Sequence, residues 1–169
     1  MAQDDAKVSI RPAYLEEWNE AMLLAWRVFL KFEADDYEQE GIDNFREFLT
    51  DDMLYHMFLG GGYQVRVAVV KDPEDPDYGK IVGMGSLRSG NLISLLFVHE
   101  DYHRLGIGRR LVESLAEFVR ERKPKYLTLK VNAAPYALGF YEKLGFQARS
   151  EEIRRAGIIY TEMELRIHE

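Results

Sequence analysis

His103-Arg104-Leu105-Gly106-Ile107-Gly108-Arg109-Arg110 stands between an apolar run, Leu92 to Val98, and an amphipathic run, Leu111 to Val119. This order describes a buried strand that turns into a helix through a glycine loop. Gly106 and Gly108 let the backbone approach a guest without a Cβ in the way, and the free N–H groups of a new helix point at that guest. Arg109 and Arg110 would sit at the positive end of the helix dipole, each unfavourable by roughly 0.3–1 kcal/mol at an exposed site. The loop therefore reads as a cradle for an anion, and a phosphorylated cofactor is the expected guest. A tight turn that binds nothing is the plain alternative.

Spacing separates the known glycine loops. A P-loop needs Gly-Lys and then Ser or Thr to hold magnesium, and no such residues follow Gly108. A dinucleotide loop needs a third glycine where Leu111 stands and an acidic residue where Thr128, Leu129 and Lys130 stand. Farther along, Val131-Asn132-Ala133-Ala134-Pro135-Tyr136 leads into Phe140-Tyr141-Glu142-Lys143-Leu144-Gly145-Phe146. An Asn at a strand end followed by Tyr-Glu-Lys-x-Gly-Phe, downstream of a Gln/Arg-x-x-Gly-x-Gly/Ala loop, resembles the GNAT-type N-acetyltransferases. His103, Gly106 and Gly108 fall on the loop pattern, with His103 where the family has Gln or Arg. The resemblance spans Leu92 to Phe146.

The resemblance implies an α/β fold of the α+β kind: a mixed, mostly antiparallel sheet, flanked by helices, whose two central parallel strands splay to admit acetyl-CoA. It implies N–H groups of Leu105, Gly106, Gly108 and Arg109 on the pyrophosphate, with charge from Arg104 and Arg110 assisting. His103 enters through its backbone. Phe97 and Val98 would offer backbone pairing to pantetheine, and Asn132 an amide that both donates and accepts. Tyr141 is the expected general acid, protonating the departing thiolate; a packed aromatic is its alternative, and Tyr136 is a nearby competitor off the motif. The implied reaction is acetyl transfer from acetyl-CoA to an amine of a small molecule or peptide, by direct attack in a ternary complex. A non-catalytic acyl-CoA-binding module, another acyl-CoA, or a hydroxyl acceptor also satisfies the cradle. The resemblance allows a homodimer.

Composition bounds these readings. The 169 residues suit a single domain, 47% hydrophobic and 30% charged, with a formal net charge of −7. That balance argues against a nucleic-acid partner, since the phosphate backbone rewards a basic surface. No cysteine is present, which excludes disulfides, thiolate metal sites and a cysteine nucleophile, and fits a reducing cytoplasm. The four histidines are scattered and carry no metal signature. The first residues lack a basic start and apolar core, and no apolar run reaches membrane-spanning length, so neither secretion nor a membrane is expected.

The remaining segments read in the order β-α-α-β-β-β-α-β-α-β-β. Val8 to Pro12 is a first strand; Leu15, Trp18, Met22, Trp26, Phe29 and Leu30 recur at helical spacing, and a second helix runs from about Asp43 to Phe58. Gly60-Gly61-Gly62 ends it as a plain turn. Val65, Val67 and Val69 alternate in one strand, and Lys80 to Leu87 is its hairpin partner. A helix over 107–121 stops at Pro124, a strand runs from Tyr126 to Val131, a short helix lies near Tyr136 to Leu144, and two last strands, about 146–152 and 158–166, turn at Ala156-Gly157. Glu33, Asp36, His99 and Glu100 are candidates for the base that deprotonates the amine, with water as an equal alternative. The acidic stretch from Glu33 to Asp52 suggests a cationic acceptor or merely a solvated face.

Overall fold

The computed structural model describes residues 7–122 and 127–168. Pro124 and Tyr126, expected to stop a helix and to open a strand, lie outside them. The sheet has the strand order β1-β2-β3-β4-β5-β8-β6, with β7 on β8. Its strands are β1 (Val8–Pro12), β2 (Gln64–Val70), β3 (Ile81–Arg88), β4 (Leu92–Val98), β5 (Thr128–Ala133), β6 (Gln147–Ala148), β7 (Ile153–Arg155) and β8 (Ile158–Arg166). All pairings are antiparallel except β4 with β5.

Helices cover both faces. α1 (Trp18–Phe32) buries Trp18, Ala21, Met22, Ala25, Val28 and Phe29 at three- and four-residue spacing against β3 and β4. On the opposite face α4 (Ile107–Glu121) buries Ile107, Leu111, Leu115 and Val119 against β2 and β3. Covered on both sides, β2 is buried from Val65 to Val70, more completely than its alternating valines suggest.

The helix expected over about 43–58 is two helices, α2 (Gln39–Leu49) and α3 (Asp52–Leu59). Thr50 Oγ1 donates to the Arg46 carbonyl at 3.0 Å, and Asp51 accepts from the Met53 N–H at 2.7 Å. One residue closes a helix while the next opens another. The strand expected over about 146–152 is shorter, β6 alone, and β7 begins just beyond that range; between them Ser150 Oγ takes the Glu162 N–H at 3.0 Å in place of a ladder bond. Past β5, a single 3₁₀ turn, Pro135–Ala137, leads into the short α5 (Leu138–Lys143).

Candidate acyl-CoA and acceptor site

β4 and β5 pair at only two positions, Leu92 with Lys130 and Ile93 with Val131. Beyond them the strands part. The divergence begins at a bulge: Ser86 of β3 lies opposite Leu95 while Leu87 lies opposite Ile93, so Ser94 is the extra residue. Ser94 Oγ is 2.8 Å from Ser86 Oγ and 2.7 Å from Tyr63 Oη, and Tyr63 Oη is 2.6 Å from Ser86 Oγ. Each hydroxyl of this ring can donate once and accept once, so the irregular backbone is pinned from within the core.

The backbone phase of β4 follows from its last bond to β3. The His99 N–H donates to the Val82 carbonyl at 2.8 Å, and in an antiparallel ladder such groups alternate, so Phe97 also turns its N–H and C=O toward β3. Leu96 and Val98 turn theirs toward the gap. Of the two residues expected to offer backbone pairing, Phe97 thus turns its backbone toward β3 and its side chain lines the cavity, while Val98 faces the gap.

At the C-terminal end of β4 lies the glycine loop. Arg104 has φ 66° and Gly106, at the helix N-cap, φ 76°, so the chain makes two left-handed steps before α4 starts. The N–H groups of Leu105, Gly106, Ile107 and Gly108 have no acceptor among the described residues. His103 Nε2–H donates to the Val98 carbonyl at 2.6 Å, fastening the loop to the end of β4, and its ring lies 5.1 Å from that of Phe32. A Cβ on Gly108 would come within 3.1 Å of the Phe140 ring, so this glycine serves the close packing of α4 on α5 as well as the openness of the loop. Arg109 pairs with Glu113 at 3.8 Å and Arg110 Nη2 donates to the Val8 carbonyl at 3.2 Å.

On the α1 side of the gap is a cavity of about 320 Å³ bounded by α1, α2, β4, the end of β5, α5 and the start of β8. Phe29, Phe45 and Phe97 form an aromatic wall, with ring centroids 4.1 Å apart for Phe29 and Phe45 and 5.9 Å for Phe45 and Phe97. Among its described lining residues Glu33 is the single carboxylate and Arg88 the single guanidinium. Burial, and then the nearby Asp36 charge, push the Glu33 carboxyl up to about 7. Tyr141, 4% exposed, has no hydrogen-bond partner for its hydroxyl among the described residues; burial and then the Glu33 charge hold its proton well above the usual phenol range.

A family model described as "Acetyltransferase (GNAT) domain" matches residues 33–167. The chain belongs to the GNAT acetyltransferase family. Its fold is that of a GCN5-related N-acetyltransferase structure from Rhodopseudomonas palustris (TM-score 0.75, 23% identity, 95% of this chain and 96% of that one). It is also that of the PaiA N-acetyltransferase of Thermoplasma acidophilum in complex with coenzyme A (TM-score 0.71, 16% identity, 94% and 98%). A relative from Bacillus subtilis (strain 168) is 36% identical over 59 residues, a match spanning 35% of this chain and 39% of the relative.

Within this GNAT domain, the motif residues collect around one gap. Tyr141, Asn132 and Phe97 line the cavity, and His103 to Arg109 form the loop at its end. Tyr136 does not line the cavity; it is 51% exposed and stacks on Phe32 at 5.3 Å. Of the four side chains weighed as the base, only Glu33 lines the cavity. Glu100 is ion-paired with Lys31, His99 Nδ1 accepts from the Asp101 N–H at 3.1 Å, and Asp36 is exposed. Asp35, Glu38, Glu40, Glu47, Asp51 and Asp52 likewise face solvent. Composition gave no sign of the Tyr63–Ser86–Ser94 ring or of Arg88, since a hydroxyl at a bulge and an arginine at a strand end look ordinary in the chain. No helix of the described residues is long and apolar enough to cross a membrane.

Proposed function

We propose that the protein transfers the acetyl group of acetyl-CoA to a primary amine seated in the cavity beside Glu33 and Tyr141. One observation carries this reading: the gap between β4 and β5 has open backbone groups and an anion cradle at one end, and opens onto a cavity holding a carboxyl poised near neutrality and a protonated phenol. Coenzyme A bound to the PaiA structure of the same fold supports the cofactor. The N–H groups from Leu105 to Arg109 would receive the pyrophosphate, Leu96 and the Val98 N–H would pair with pantetheine along the edge of β4, the Val98 carbonyl being held by His103, and Asn132 would meet it from β5.

Bound acetyl-CoA supplies an activated acyl group, so the chain has to position, deprotonate and protonate. An amine arriving as ammonium gives its proton to the Glu33 carboxylate. A base near 7 suits this task at neutral pH, and the apolar wall eases the transfer by disfavouring the charged amine. The amine nitrogen attacks the thioester carbon, a C–N bond forms and the C–S bond breaks. Tyr141, whose proton is held until negative charge appears on sulfur, donates it to the departing thiolate and regains one from the second proton that the acetylated nitrogen sheds, leaving CoA thiol, an N-acetyl product and one proton on Glu33 that returns to solvent. A thiol-release assay over a panel of primary amines tests the reading, with product mass confirming acetyl addition. Binding of acetyl-CoA without thiol release for any amine would favour a non-catalytic acyl-CoA module instead.

A further inference from the structure

We infer that Arg88 makes this cavity selective for acceptors that carry an anionic group at the end opposite their amine, an ω-amino acid being the simplest member of the class. The inference rests on the amine-acetylation reading and deepens it. Arg88 ends β3 and is paired with Leu92, at the start of β4. Phe97 lies five residues along that strand, roughly 16 Å away at 3.3 Å per residue. Glu33 belongs to the Phe97 end: it follows Phe32, whose ring stacks near His103 and Tyr136, and its charge acts on Tyr141. The carboxyl and the guanidinium of the described lining thus stand toward opposite ends of β4, Glu33 beside the aromatic wall and Arg88 at the exposed mouth.

The guanidinium of Arg88 lies 5.8 Å from the centre of the Phe48 ring, itself a lining residue, and has no carboxylate partner among the described residues. A cation–π contact on one face leaves the fork of N–H donors available to a ligand at that end, and a carboxylate or phosphate matches the fork best. A ligand with an ammonium and an anion satisfies both ends of the cavity. A purely cationic amine satisfies Glu33 and leaves Arg88, an exposed residue at the mouth of the cavity, to water. The many exposed carboxylates of α2 and α3 lie outside this cavity and do not change its internal balance.

The test compares linear ω-amino acids, from β-alanine upward in length, with n-alkylamines of the same carbon count, read as kcat/KM for CoA thiol release. At one chain length the amino acid should exceed its alkylamine by tenfold or more. Arg88→Gln should bring that ratio to about one, and Arg88→Lys should restore part of it. Ratios at or below one at every length, or a ratio unchanged in Arg88→Gln, overturn the inference. The same series added to the CoA-loaded protein gives a readout independent of turnover. If no amine is acetylated, yet the amino acids raise Tm more than the alkylamines in wild type and not in Arg88→Gln, the selectivity stands and the catalytic reading falls. Equal shifts from both series remove the selectivity.

Discussion

Tyr63 Oη and Ser94 Oγ lie 2.7 Å apart, joining the start of β2 to the one extra residue of β4, where that strand leaves β5. Tyr63 is 1% exposed, and with Ser86 the pair closes a ring of three hydroxyls. Tyr63→Phe keeps the packing and removes one member. Two serines still bond each other, so the expected loss is about 1–2 kcal/mol in a denaturant midpoint, the cost of a buried polar group losing a partner. Affinity for acetyl-CoA should weaken in parallel, because the bulge directs the free edge of β4. An unchanged midpoint would show that the ring carries no stability.

Glu33 joins pH to both rate and stability. Its carboxyl sits near 7 in the folded protein and near 4.5 when unconstrained, so between those values the folded chain binds more protons than the unfolded one. Stability therefore falls as pH rises through that window and stays lower above it. Glu33→Gln should be more stable than wild type at pH 8, by on the order of 3 kcal/mol at about 1.4 kcal/mol per pKa unit. The activity effect has the opposite sign: kcat/KM for wild type should climb through pH 7, and the variant should lose roughly 10²–10⁴-fold together with that limb. A variant with the wild-type pH profile would assign deprotonation to water.

Tyr141→Phe should lower kcat with little change in acetyl-CoA affinity, since the hydroxyl matters only as charge develops on sulfur and the ring packing on Phe140 and Phe146 survives. A loss on the order of a hundredfold is expected where that proton transfer limits the rate. The loss should shrink for a thioester whose thiolate leaves more readily. Because Tyr141 keeps its proton beyond the usual phenol range, its ionisation should produce no alkaline fall in wild-type rate below pH 10. Equal single-turnover rates for both proteins would make Tyr141 a packing residue.

Acetyl-CoA should raise the Tm of wild type, by the equivalent of about 2.7 kcal/mol at a hundredfold excess over Kd. Gly108→Glu should abolish this shift. It should also lower the starting Tm, because its Cβ meets the Phe140 ring at 3.1 Å. Gly106→Ala separates the two effects: no atom lies closer than 3.8 Å to the new Cβ, and only the left-handed backbone at φ 76° is penalised, by roughly 1–2 kcal/mol. A Gly108→Glu protein that still responds fully to acetyl-CoA would place the phosphate cradle elsewhere.

The central unit was legible because its signals are local. Leu92 to Val98, the glycines at 106 and 108 and the stripe from Leu111 to Val119 each imply their neighbours, and α4 begins and ends as its periodicity predicts. The splay between β4 and β5 was not legible as periodicity, since an unpaired strand edge has the same alternation as a paired one. The bulge at Ser94 shifts backbone phase by one residue without altering the apolar pattern, so which β4 residues turn their backbone to the gap could not be read from the chain. Glu33 stood among four candidates, three of them carboxylates of equal chemistry. Only burial separates it from Asp36, and that burial depends on α5 and β8, more than a hundred residues away.

Where the tip of the β7–β8 hairpin meets the first turn of α2, a Cβ on Gly41 would lie 2.3 Å from the Gly157 carbonyl oxygen, and one on Gly157 would lie 2.3 Å from the Gly41 nitrogen. The Glu38 N–H donates to that carbonyl at 3.0 Å, so the seam is backbone against backbone. Ile158 and Tyr160, just beyond it, line the cavity proposed for the acceptor. A methyl group is thus a wedge of minimal size. Inserted at either glycine it would prise the hairpin from the helix and widen the acceptor chamber while the cofactor cleft, built from other strands, keeps its shape. The breadth of acceptors the protein accepts would then be adjustable one carbon at a time from Gly157, a residue that does not line the cavity.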